Sequence, residues 1–196
     1  MDDASLNPPF LTKEVEDFLL DGEALLLPHV LRGPRPVTAH WDEAVKGVME
    51  SVPLSGVKAS DYDAVFLPGG HGTCWDFPDN ADLISLVSEF VEAGKVVSAV
   101  CHGPMGLVNV KGKDGKPLVA GKKVTGFSDA EEYAVVKEKV VPFLLQSKLV
   151  ELGAEYKCAE QKWEPFAVRD GSLVTGQNPS SSARVAELVV EALSGN

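Results

Sequence analysis

The sequence predicts an α/β fold built on a doubly wound, mostly parallel sheet, and three observations point to it. The runs DAVFL (63–67) and KVVSAV (95–100) are short and mostly apolar without alternation, the pattern of strands buried on both faces rather than one. Between them Leu83, Ile84, Val87, Phe90 and Val91 recur at helical spacing, so the unit reads strand–helix–strand. Two buried strands joined by one helix form a parallel crossover. The same alternation then continues to the C-terminus.

The elements follow in chain order. FLTKEVEDFLL (10–20) is helix-like. LLLPHVLRGPRPVTAHW (25–41) mixes three prolines, a glycine and two arginines without a period, so an irregular insert is expected over about 25–47. The strand at 63–67 ends in the breaker PGGHG. Asp79 or Asn80 can cap the next helix, and Gly94 stands where a left-handed terminator belongs. The strand at 95–100 breaks at Cys101-His102-Gly103-Pro104 into a short helix. KPLVAGKKVTGF (116–127) reads as one or two short strands around Gly121. Ser128 and Glu131 form an S-x-x-E capping box that opens a helix. VPFLLQSKLVEL (141–152) reads as a helix stopped by Gly153. AEYKCAE, FAVRD and SLVTG read as strands, the last two joined by an Asp170-Gly171 turn. A final helix puts Val185, Leu188, Val189, Ala192 and Leu193 on one face behind Ser180-Ser181-Ser182. No internal repeat occurs, and residues 1–196 are read as a single domain.

Composition narrows the function. The 196 residues hold 18 basic and 29 acidic side chains, a net charge of −11. That balance argues against nucleic acid, which needs a concentrated basic surface. No apolar run approaches the roughly 18–20 residues of a membrane helix. The opening MDDASLNPPF resembles neither a secretory signal nor a transit peptide. Three widely spaced cysteines without C-x-x-C exclude a disulfide framework and a cysteine-built zinc site, and they favour a reducing compartment, the cytoplasm.

The chemistry centres on Cys101. A side chain placed where a buried strand stops and a helix starts is lifted out of the sheet, with free amides behind it to form an anion hole. A helix N-terminus favours the thiolate. Gly103 keeps the turn uncrowded and Pro104 suits the first helical position. The Gly69-Gly70 loop ends the neighbouring strand at the carboxyl edge, and its amides can complete the hole. Cys74 and Cys158 lack this context and read as ordinary small apolar residues, although Cys74 could line a pocket mouth. His102 can move a proton or stabilise the thiolate, and needs an acidic residue to orient it. Glu131 and Glu132 are the candidates. The capping box occupies Glu131, which leaves Glu132 better placed for His102 or else a solvated surface glutamate. His71 either binds substrate or holds its loop. His29 and His40 lie in the irregular stretch and read as solvated.

The strings DYDAVFLPGGHG (61–72), VVSAVCHGP (96–104), GKKVTGFSDAEE (121–132) and LVTGQNPSSS (173–182), in this order, resemble the ThiJ/PfpI superfamily. They are most similar to its heat-shock-chaperone-like branch of glutathione-independent glyoxalase III proteins. The resemblance covers roughly 10–20 and 51–193. It implies a flavodoxin-like three-layer sandwich, a homodimer, and a site in which Cys101 is the nucleophile, His102 its adjacent histidine and Glu132 the third, acidic member. It further implies conversion of a small 2-oxoaldehyde, methylglyoxal, to D-lactate without glutathione, metal or other cofactor. The branch opens with a strand, a helix and a second strand ahead of the region where this sequence begins, so the sheet is expected to be incomplete at its N-terminus. A glutamate on that opening helix serves proton transfer in the family, and neither Glu14 nor Glu16 can be assigned its role. Relatives imply two alternatives, a stress-response chaperone or redox sensor of the same fold and a cysteine peptidase or deglycase. A glutamine amidotransferase would want a late histidine, and none follows His102.

Overall fold

In the computed structural model, which describes residues 24–26 and 50–195, the main sheet starts with β1 (Ala24–Leu26) and continues through β2 (Ala64–Leu67) and β3 (Val96–Val100). These three strands are parallel, with Ala24 opposite Ala64 and Ala64 opposite Val96. β6 (Ala167–Asp170) and β7 (Leu173–Gly176) complete it in the order β1-β2-β3-β7-β6, with β7 parallel to β3 and β6 antiparallel to β7. Every residue of β2, β3 and β7 is buried. Both faces of the strands are therefore covered, which is why their sequences show no alternation. A separate two-stranded parallel ladder joins β4 (Lys123–Val124) to β5 (Glu155–Tyr156).

Helices supply the cover. α1 (Thr73–Asp76) is a single turn, and α2 (Ala81–Ala93) packs on β2 and β3 through Leu83, Leu86, Val87 and Phe90. Asn80 caps α2 by accepting from the Leu83 amide at 3.0 Å, and Gly94 ends it at φ 71°. α3 (Asp129–Ala134) opens with the capping box foreseen at Ser128 and Glu131, and α4 (Leu145–Glu151) follows. α5 (Ser182–Leu193) lies against β3, β6 and β7 with Val185, Leu188 and Val189 buried. The result is the doubly wound, three-layer α/β sandwich that the sequence predicts. Among the described residues no helix is long and apolar enough to cross a membrane.

Several local expectations change. Leu25 and Leu26, expected in the irregular insert, stand in β1, where the apolar run Ala24–Leu26 pairs with Ala64, Val65 and Phe66 of β2. The rest of that stretch and the helix at 10–20 lie outside the described residues. The helix foreseen from 141 begins only at Leu145, since Pro142 lacks an amide hydrogen and steers the residue before it away from helical geometry. The short helix expected after Cys101 is present as a 3-10 helix (Gly103–Leu107). Ser181 does not cap α5. Its hydroxyl accepts from the Phe166 amide at 3.1 Å and donates to Asn178 Oδ1 at 3.0 Å.

Candidate active site

Cys101 leaves β3 on a left-handed residue. Its amide still completes the ladder to the Gly176 carbonyl at 2.9 Å and its carbonyl accepts from the Phe127 amide at 2.8 Å, while its φ is 60°. For a residue with a side chain that conformation costs about 1–3 kcal/mol and persists only where neighbours enforce it. The neighbours here are glycines. A Cβ on Gly69 would come within 2.6 Å of Cys101 Cβ, and one on Gly103 would collide with the Leu67 carbonyl. Gly69 thus serves the elbow by its absence of bulk. The amides that reach the sulfur are those of Gly70 and His102.

The turn brings together side chains that an extended backbone would separate. His102 Nδ1 lies 3.4 Å from Cys101 Sγ. On the far side of the ring, Nε2 donates to Glu132 Oε2 at 2.8 Å, and His71 Nε2 donates to Glu132 Oε1 at 2.7 Å. One carboxylate thereby holds two imidazoles, whose centroids are 4.3 Å apart. His102 and Glu132 are buried, whereas the His71 side chain is 36% exposed. With Nε2 carrying the hydrogen, Nδ1 is left as an acceptor facing the thiol. Among the described residues His71, His102 and Glu132 also form the group with metal-ligating potential, their donor atoms within 4.8 Å of one another, but both Nε2 atoms are committed to the carboxylate.

The electrostatics reverse one expectation. Burial pushes the Cys101 thiol up to about 12, against the opposing pull of the Gly70 and His102 amides. The five-residue 3-10 turn behind it offers no extended helix dipole to favour the thiolate. Burial also holds His102 below its usual value despite the hydrogen bond to Glu132. The resting pair is therefore a thiol facing a neutral imidazole. Alkylation of Cys101 by iodoacetamide is expected to accelerate about tenfold per pH unit from 7 to 10, tracking the thiolate fraction. Peptide mass mapping in a Cys158→Ser background checks this, and a plateau below pH 8 would show a preformed thiolate instead.

The other candidates separate cleanly. Cys74 is 1% exposed, so it lines no mouth, and burial followed by the charge of Glu132 raises it to about 12. Cys158 is exposed. His29 and His40 lie outside the described residues, as do Glu14 and Glu16. A cavity of about 400 Å³ opens at the opposite, amino edge of the sheet beside Val97, Leu173 and Lys116, and none of the residues around Cys101 lines it.

Glu131, given only a capping task from sequence, proves to be a junction. Its Oε2 accepts from the Ser128 amide at 3.0 Å and the Ser128 hydroxyl at 2.7 Å, and its Oε1 from the Trp163 amide at 3.0 Å and Asn178 Nδ2 at 2.8 Å. Sequence reasoning also missed the aromatic side of the site. The Phe127 ring lies 4.4 Å from that of His102, and Trp163 lies 5.7 Å beyond Phe127. Phe127 stood inside a recognised string, whereas nothing local marked Trp163.

The profile of the DJ-1/PfpI family matches residues 33–192. Glyoxalase 3 of Candida albicans is 36% identical over 165 residues, 82% of this chain and 69% of that protein. The glutathione-independent glyoxalase HSP31 of Saccharomyces cerevisiae is 38% identical over 145 residues, 70% of this chain and 60% of that protein. Among solved structures, glyoxalase III from Candida albicans superposes with a TM-score of 0.66 at 38% identity, covering 71% of this chain and 60% of that one. The Rapid Encystment Protein of 24 kDa from Francisella tularensis gives 0.73 at 40% identity, covering 78% and 68%.

Proposed function

The chain belongs to the DJ-1/PfpI family, and from that premise we propose that it is a glutathione-independent glyoxalase that converts methylglyoxal to D-lactate. Cys101 is its nucleophile, His102 its base and Glu132 the residue that orients His102. The observation that carries the reading is the unbroken line Sγ to Nδ1 and Nε2 to Oε2, at 3.4 and 2.8 Å, behind a thiol raised on a strained elbow. The similarity to the two glyoxalases above supports it, and this chain spans 69% and 60% of their lengths.

The steps follow from the resting protonation. As the thiol meets the aldehyde carbon, its proton passes to Nδ1 and the new imidazolium is stabilised by Glu132. Carbon 1 gains the sulfur, and its oxygen becomes an oxyanion to which the Gly70 and His102 amides beside the sulfur can donate. Protonation of that oxygen gives a hemithioacetal. His102 then carries the carbon 1 proton to carbon 2 through an enediol, which leaves a lactyl thioester. Water cleaves the thioester and restores the thiol, so one water is consumed and no external electron carrier is needed. Gly69 permits the elbow, Gly70 supplies an amide, and His71 closes the site from its exposed side. A buried reduced thiol of this kind suits the cytoplasm.

Purified protein given methylglyoxal without glutathione is expected to yield D-lactate, read with a stereospecific lactate assay. A requirement for glutathione, or formation of the L-enantiomer, would overturn the proposal.

A further inference from the structure

Trp163 is held against its own preference beside the candidate site. Its φ of 71° is one that a bulky residue rarely adopts. Two buried side chains fix the segment around it: Glu131 Oε1 accepts the Trp163 amide at 3.0 Å, and Asn178 Nδ2 donates to the Glu164 carbonyl at 2.9 Å. The carboxylate that holds the tryptophan is on the residue immediately before Glu132, which holds His102. The indole so presented is not core filling, because Trp163 remains 41% exposed. Its ring meets Phe127 at 5.7 Å and 53°, and Phe127 meets His102 at 4.4 Å and 31°. A stack of three rings therefore runs from the exposed Trp163 through the buried Phe127 to His102.

We infer that Trp163 is a specificity-determining residue whose exposed indole, backed by the buried Phe127, receives a flat apolar substituent on carbon 2 of the substrate, so that the site favours aryl 2-oxoaldehydes over methylglyoxal. This deepens the glyoxalase reading and rests on it. A methyl group is too small to cover an indole face, whereas a phenyl ring offers the offset or edge contact that aromatic pairs prefer. The stack presents aromatic faces, and besides the site's own histidine its polar group is the indole N–H of Trp163. The ring faces suit a flat apolar substituent, which aromatic pairs hold by offset or edge contact.

The variant that tests this is Trp163→Gly, because glycine accepts a φ of 71° and removes the indole without strain. The readout is the ratio of kcat/KM for phenylglyoxal to that for methylglyoxal. That ratio is expected to fall about tenfold in Trp163→Gly, the factor one aromatic contact supplies, and to recover in Trp163→Phe. Equal losses on both substrates would make Trp163 a purely structural residue and overturn the inference, as would an unchanged ratio. Should the native protein turn over neither aldehyde, the glyoxalase reading falls by itself. The aromatic wall is then judged by calorimetric binding of D-mandelate against D-lactate to Cys101→Ser protein. Tighter mandelate binding that Trp163→Gly abolishes sustains the wall, and equal binding removes it.

Discussion

Cys101→Ala is expected to lower D-lactate formation by about 10⁴-fold or more while the protein stays folded. Removing the nucleophile of a unit that works through covalent attack costs about as much as removing the whole unit, on the order of 10⁴- to 10⁶-fold. The site offers no substitute. Cys74 is buried and held up to about 12 by its surroundings, and Cys158 lies on the exposed strand-to-loop segment after β5. The fold should tolerate the change, because alanine fills most of the sulfur's place and the backbone bonds of residue 101 to Gly176 and Phe127 do not involve the side chain. Steady-state rates beside a thermal unfolding curve measure both halves. Activity within tenfold of the native protein would remove Cys101 from the role of nucleophile.

The second large effect concerns stability. Glu131→Ala is expected to cost about 3–5 kcal/mol, since each buried donor left without its acceptor costs about 1–3 kcal/mol and the Ser128 amide, the Ser128 hydroxyl and the Trp163 amide lose theirs at once. Ser128 and Trp163 lose this acceptor and Asn178 keeps only the Glu164 carbonyl, so the start of α3, the Trp163 loop and the turn after β7 are all weakened. A loss of this size is a large part of an ordinary domain's total. The same carboxylate makes stability depend on acidity. Burial alone would raise its pKa, but the bonds from Trp163, Ser128 and Asn178 prevail and hold it below the ordinary 4.5. A group depressed in the folded state stabilises the fold fully above its unfolded value, and that contribution disappears as pH falls through the lower folded value. Urea midpoints of native protein should therefore drop as pH falls below about 4.5, more steeply than those of Glu131→Gln. Parallel pH profiles for the two proteins would rule Glu131 out as the source.

What could be read in advance depended on how local the cause was. β2, α2 and β3 were legible because their residues are buried on sides that period and apolarity reveal, and Asn80 and Gly94 mark the ends of α2 by local chemistry. β4 and β5 were only partly legible, because two-residue strands owe their existence to each other. β1 was hidden by the prolines and arginines that follow it. Cys101, His102 and Glu132 were recoverable from an elbow and a capping box. The height of the Cys101 pKa was not, since it comes from burial by residues distant in sequence. Trp163 was invisible for the same reason: its place is set by a carboxylate 32 residues earlier.

Glu131 and Glu132 are neighbours whose partners do not overlap, Ser128, Trp163 and Asn178 for one and His71 with His102 for the other. Each helical residue turns the chain by about 100°, so a single insertion or deletion between Phe127 and Glu132 would aim both carboxylates at the wrong partners. Junctions between a strand and a helix are ordinarily where chains gain and lose residues most freely. Here that freedom is withdrawn. Length variation in this fold must be absorbed elsewhere, and the exposed turn at 112–116, which no catalytic candidate touches, is a place that can take it.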